Sequence, residues 1–185
     1  MSNEQNQSRM GLLVVDVQNG VIQSFYKKEQ VVENIRLMLS KARAASVPII
    51  WVQHSSEELI KDTNEWKIEA SLTPGMDDYF IEKFFNSAYE RTTLNALIKQ
   101  LDLSKIVLVG AATNWCIRAT VYATLERGYD LCLISDAHTT ESLDYGNGHV
   151  IEAKDIILEL NTTVKWLEYP DRVNEIKSAE AFEFI

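Results

Sequence analysis

Three polar residues of this chain stand where apolar segments run out: Asp16 after "LLVV", Lys83 after "YFIE" and Cys116 after "KIVLVGAATNW". A carboxylate, an ammonium and a thiol in such places can together do nucleophilic chemistry. The carboxylate takes the thiol's proton, the cation steadies the charges, and the sulfur attacks a carbonyl carbon. Each residue also has a plainer reading. Asp16 fits an N-cap or loop acid, Lys83 a surface lysine with a buried stem, and Cys116 a small hydrophobe packed at a helix start. The turn "GAATNW" joins an apolar run to an amphipathic one, which predicts Cys116 in the first turn of a helix. Unpaired amides and the positive end of the helix dipole converge there, easing ionisation of a thiol and offering donors to an oxyanion. None of the three histidines, His54, His138 and His149, is singled out as a partner for the thiol. The other cysteine, Cys132, lies within "LCLIS" and reads as inert core. Two cysteines without a C-x-x-C spacing build no disulfide framework.

The elements that must position these groups can be read from periodicity. Short continuous apolar runs at 10–17, 49–54, 78–84, 105–111, 130–135 and 162–168 read as strands. Between them lie helical patterns at 31–47, 92–101, 114–127 and 149–160. In the first, Val32, Ile35, Leu39 and Ala42 share a face ahead of Pro48; in the third, Ile117, Val121 and Leu125 form one stripe that stops at Gly128. The charged stretch from Ser55 to Pro74 reads as a long surface segment with at most one helical turn. Alternating strands and helices, with strands apolar throughout, predict an α/β fold: a three-layer α-β-α, Rossmann-like parallel sheet of about six strands with helices on both faces. Residues 1–185 are expected to form a single domain, with 1–8 as a polar tail rather than a signal peptide. In such sheets ligands bind beyond the carboxyl ends of the strands. That rule selects Asp16, Lys83, Cys116 and, after the fifth strand, Asp136.

Bulk properties exclude several classes. Hydrophobic residues make up 46% and charged residues 24% of the 185, a globular composition. A net charge of −9 argues against nucleic acid as a partner, and no apolar run approaches the roughly 20 residues of a membrane span. Neither G-x-G-x-x-G nor a phosphate-binding G-x-x-x-x-G-K motif is present. A cytoplasmic protein is expected.

"LLVVDVQNG", "LTPGMDDYFIEKFFNSAYERTTL" and "KIVLVGAATNWCIRATVYATLERGYDLCLISDAHTT" together resemble the isochorismatase-like cysteine hydrolases. That family has an Asp after strand one, a Lys followed by Ser-Ala-aromatic, and G-x-x-T-x-x-C with a trailing Thr, G-Y and Asp-Ala. All occur here in order across most of the chain. The resemblance implies a triad of Asp16, Lys83 and Cys116, and a cis peptide before the cysteine at Ala111–Ala112. It further implies an oxyanion site made by the amides of Ala112 and Cys116, a thioester intermediate and no cofactor. Nicotinamidases of this family carry Asp-x-His and a further His after strand two, which hold a metal. Here "QHSSEEL" offers only His54 with Glu57 or Glu58, so no metal is expected. Retention of Cys116 points to cleavage of an amide, carbamoyl or lactam C–N bond in a small molecule. The alternatives are a vinyl-ether hydrolase of the isochorismate type, or a non-catalytic redox or binding module. The family resemblance also implies a homodimer or higher homo-oligomer. Pocket candidates are Gln18, Phe25 in the 19–28 loop, Phe84, Phe85, Tyr89, Trp115 and Tyr145, any of which could instead serve the core or an interface. Among them Trp115 has the strongest claim.

Overall fold

Met10 to Val15 are six consecutive buried residues, which requires a strand covered on both faces. This strand, β1, alternates its side chains: Leu12 and Val14 enter one apolar cluster, Leu13 and Val15 the other. The computed structural model describes residues 9–185, so the expected tail at 1–8 lies outside the described residues. Around β1 the sheet is built from β2 (Ile49–His54), β3 (Tyr79–Lys83), β4 (Lys105–Ala111), β5 (Asp130–Thr139) and β8 (Asn174–Lys177), in the order β3-β2-β1-β4-β5-β8. Every neighbouring pair is parallel. The chain direction of assembly reverses between β1 and β4, which makes their carboxyl ends the switch point.

Helices cover both faces, as the alternating pattern predicted. α2 (Lys28–Ala44), preceded by the short α1 (Asn19–Ile22), buries Val32, Ile35, Met38, Leu39 and Ala42 against one face. Phe182 and Phe184 of the C-terminal segment join it there. On the other face lie α3 (Leu94–Gln100), α4 (Arg118–Glu126) and α5 (Ala153–Trp166). The expected stripe of Ile117, Val121 and Leu125 is fully buried in this second cluster. Among the described residues no helix is long and apolar enough to cross a membrane.

Three expectations fail towards the C-terminal end. Residues 162–168 are not a strand. They belong mostly to α5, because Leu160 and Val164 sit four apart and face the core together. The sixth strand is instead "NEIK", a half-buried edge whose pattern carries little apolar signal. Helix α5 also begins later than expected, since Val150–Ile151 (β7) pair with Leu143–Asp144 (β6) in a small antiparallel hairpin. Strand β5 continues to Thr139, which leaves Asp136 inside the strand rather than beyond it.

β4 and β1 approach most closely where the candidate residues emerge. Gly110 pairs with Val15 at φ +127°, and a Cβ there would lie 2.0 Å from the Val15 carbonyl oxygen. Only glycine tolerates both the conformation and the contact. Gly110→Ala is therefore expected to lower stability by at least about 3 kcal/mol, read as a shifted urea unfolding midpoint. An unchanged midpoint would contradict this account of the β1–β4 contact.

Candidate active site

The parallel register delivers the three polar residues to one place. Lys83 ends β3 opposite His54 on β2, and Asp16 follows β1, where its amide donates to Val52 O of β2 at 2.8 Å. Asp16 takes a left-handed φ of +52°, a conformation that Asp adopts more readily than most residues. Lys83 Nζ lies 2.6 Å from Asp16 Oδ2 and donates to Cys116 Sγ at 3.2 Å and to Phe85 O at 3.1 Å. The Lys83 and Asp16 side chains are 0% and 2% exposed, so Lys83 is not the surface lysine that its local sequence allowed. Neither Asp16 oxygen receives a well-aligned hydrogen bond, so the carboxylate depends mainly on the lysine's charge for compensation.

Burial pushes the Asp16 carboxyl up from the ordinary carboxylate range, against the opposing pull of Lys83. Burial, and next the Asp16 charge, push the Cys116 thiol up to about 12, with Lys83 acting the other way. An easily ionised thiol was expected from its place at a helix start. In this site the desolvation and the neighbouring carboxylate outweigh the helix end. The sulfur therefore rests as a thiol, 3.2 Å from Lys83 Nζ.

Cys116 is carried on a π-helical turn, Thr113–Ile117, that follows directly from a cis peptide at Ala111–Ala112. Ala112 O closes the turn by accepting from the amides of Trp115 and Ile117, both at 3.1 Å. Strand β5 and the residue that follows it pin it from the side. Thr140 Oγ1 donates to Asn114 Oδ1 at 2.6 Å, and Thr113 Oγ1 donates to His138 Nδ1 at 2.9 Å. His138 Nε2 donates to Asn161 Oδ1 at 3.0 Å, while Asn161 Nδ2 donates to Ser135 O, which fixes both the amide and the tautomer. His138 is thus a buried structural link from the turn to α5.

The remaining candidates divide. Gln18 is not a pocket residue: its amide is fully buried and accepts from His54 N at 2.8 Å while donating to His54 O and Trp66 O. These bonds fasten β2 to the 55–78 segment, in which Leu59 and Leu72 are buried anchors rather than surface. Tyr89 is buried, accepts from Thr124 Oγ1 at 3.1 Å and lies under the Arg127 guanidinium, so it belongs to the core beneath α4. Phe25 is half-buried against the α2-side cluster. Trp115, Phe84 and Phe85, next in sequence to Cys116 and Lys83, are exposed. Tyr145 is exposed in the β6–β7 hairpin, edge-on to His149. Asp136, a strand-end candidate, caps Ala179 N at 2.8 Å and takes no part in the site. Among the described residues no group of three or more His, Cys, Asp or Glu side chains is gathered for a metal.

Sequence reasoning missed His54. Its Nδ1 lies 3.2 Å from Lys83 Nζ. An ammonium only donates, so Nδ1 accepts and Nε2 carries the proton. The signal was available, since His54 ends β2 as Lys83 ends β3, and the strand-end rule applied to every strand would have selected it.

A family model for the isochorismatase domain matches residues 10–162. Among curated relatives, a streptothricin hydrolase of Streptomyces noursei is 27% identical over 143 residues, 74% of this chain and 57% of the relative. The chain thus spans little more than half the length of that hydrolase. A protein of Arabidopsis thaliana named as a probable inactive nicotinamidase is 24% identical over 184 residues, 85% of this chain and 94% of its own. The structure of a cysteine hydrolase from Pseudomonas syringae pv. phaseolicola superposes with a TM-score of 0.85 at 22% identity, covering 95% of this chain and 91% of that one.

The His138 link carries a pH dependence. Burial is the main cause that pushes its imidazole down to about 4, against smaller opposing contributions from Asn161 and Asp136. The unfolded chain takes up that proton first, near 6.5. Stability from the neutral imidazole is therefore full above about pH 6.5 and is lost as pH falls towards about 4, by up to roughly 3 kcal/mol. Urea unfolding of wild type and His138→Gln at pH 7 and pH 4.5 measures it. Wild type should lose more stability than the variant on acidification, and equal losses would refute the assignment.

Proposed function

Because the chain belongs to the isochorismatase family of hydrolases, we propose that it cleaves a C–N bond of a small molecule, an amide, carbamoyl or lactam, through a thioester on Cys116. The observation that carries this reading is Lys83 Nζ set between Asp16 Oδ2 at 2.6 Å and Cys116 Sγ at 3.2 Å. In the proposed reaction Asp16 accepts the thiol proton and the sulfur attacks the carbonyl carbon. Lys83 offsets the charge that moves from carboxylate to thiolate. The amides of Ala112 and Cys116 receive the oxyanion. The proton on Asp16 passes to the departing amine, and water then hydrolyses the thioester with Asp16 again as base. No cofactor enters this sequence. The names of the Streptomyces and Pseudomonas relatives support hydrolysis. The Arabidopsis relative, named as inactive, makes a direct assay decisive.

The rest of the reading concerns context. One hydrolase domain acts on a small molecule in the cytoplasm, without nucleic acid or membrane as partner. Exposed Phe84, Phe85 and Trp115 beside the site support pairing with a second copy.

The test is ammonia or amine release across a panel of small amides, carbamoyl compounds and lactams. Cys116→Ala is expected to lose at least about three orders of magnitude in rate while melting near the wild-type temperature. Enzyme quenched during turnover should carry an acyl group on the Cys116 peptide. Full activity in Cys116→Ala would favour the vinyl-ether reading, and an inert wild type across the whole panel would favour a non-catalytic one.

A further inference from the structure

The three N–H groups of Lys83 meet three aligned acceptors, His54 Nδ1 at 3.2 Å, Phe85 O at 3.1 Å and Cys116 Sγ at 3.2 Å. With Nδ1 so engaged, the imidazole keeps its proton on Nε2. Burial, and next Lys83, hold the ring below its usual value against Asp16, so it is neutral near pH 7. The side chain is half-buried, and Nε2 has no protein partner among the described residues. Nor is it one of their buried polar atoms left unpaired, which are both Asp16 oxygens and Arg172 Nε. It is therefore an N–H donor that water reaches, on a ring that shares Lys83 with the nucleophile. Asn114, two residues before Cys116 in the π-helical turn, has the same polarity: Thr140 engages its Oδ1, and its Nδ2 has no protein partner among the described residues. The acceptors nearby are spent, since Gln18 Oε1 takes His54 N, Phe85 O takes Lys83, and Asp16 is almost wholly buried. In the sheet order His54 lies on the β2 side of the switch point, and Asn114 is tied to the residue after β5 on the other. A molecule entering between them meets two open donors.

We propose that His54 is a specificity-determining residue whose Nε2–H binds a second oxygen acceptor of the substrate. The preferred substrate is then an acyl compound that carries a carbonyl or carboxylate oxygen close to its scissile carbonyl. The inference rests on the reading of Cys116 as nucleophile. A simple alkyl amide displaces water from the Nε2–H and leaves it unpaired, and a donor stranded in this way is how a polar site rejects an analogue that lacks the matching group. Ketone and carboxylate oxygens offer one chemistry to a neutral donor, and the choice between them is read directly in the test.

The test compares butanamide, acetoacetamide and malonamate, which carry at the same carbon a methylene, a ketone and a carboxylate. Two readouts are taken in the full chain: kcat/KM for ammonia release, and protection of Cys116 from iodoacetamide, which reports binding without turnover. Wild type should favour acetoacetamide or malonamate over butanamide by about tenfold, and whichever is favoured identifies the acceptor. His54→Asn keeps an acceptor oxygen for Lys83 near the place of Nδ1 but lacks the outward N–H, so the preference should fall to near unity. His54→Gln carries an amide N–H out towards the place of Nε2 and should restore part of it. A residue that only holds Lys83 would slow all three amides alike in His54→Asn and leave their ratio unmoved, and that result overturns the proposal. So does a wild type with no preference in either readout. Turnover that survives Cys116→Ala would instead defeat the nucleophile reading itself. Nitrogen-15 spectra of wild type keep the proposal testable if the variants do not fold. They should show His54 with a bare Nδ1 and a protonated Nε2 at neutral pH, and an Nε2 signal that moves on addition of the favoured amide. A proton on Nδ1, or an unmoved signal, overturns it.

Discussion

The buried contact between Lys83 and Asp16 is the constraint to which the carboxyl edge of the sheet is built. Two charges taken out of water each cost several kcal/mol, and only a close partner offsets that cost. At 2.6 Å, with both side chains almost wholly buried, each ion is the other's main compensation. Everything near them follows from keeping that distance. β2 lies between β1 and β3 and spaces the two residues. Gln18 clips the end of β2 to the loop beyond it through three backbone bonds. Phe85 turns its carbonyl back onto the ammonium. The charged pair in turn sets the state of the sulfur, because a carboxylate beside a buried thiol discourages a second negative charge.

The turn bearing Cys116 is held by a different means. It is pinned through neutral hydrogen bonds from β5 and, through His138 and Asn161, from α5. From the other side, Ala88 N donates to Thr120 Oγ1 just beyond the turn in α4. Neutral bonds fix its position without adding a further charge near the thiol. One half of the site is therefore placed by electrostatics and the other by geometry, and the two meet at the sulfur.

Much of this could be read from the chain before any coordinates. Continuous apolar runs marked β1 to β5, and the rule that ligands gather beyond strand ends selected Asp16, Lys83 and Cys116. The misses have physical causes. Residues 162–168 carry β-branched threonines and a valine, yet Leu160 and Val164 make a helical pair with the core. Edge strand β8 is half-buried and so lacks an apolar signature. Gln18 and Tyr89 have residue types that suit a pocket, but their side chains are consumed by backbone and core partners, which spacing does not reveal. Asp136 looked terminal because β5 runs four residues past the apolar stretch. The high thiol value was hidden because desolvation depends on what packs around a group rather than on its neighbours in sequence.

β3 is the edge strand of the sheet, and edges are where pairing slips most easily. Its burial alternates only weakly, with Tyr79 and Glu82 half-buried, so hydrophobic pattern alone holds its alignment loosely. A slip of one residue reverses every side chain. Glu82 or Phe84 would then occupy the place of Lys83, setting a second carboxylate or an apolar ring against Asp16. Either outcome strands a buried negative charge. The ion pair therefore acts as a checksum on assembly: the strand is stable only in the alignment that also completes the site, and misaligned molecules are discarded by the same electrostatics that ready the correct ones.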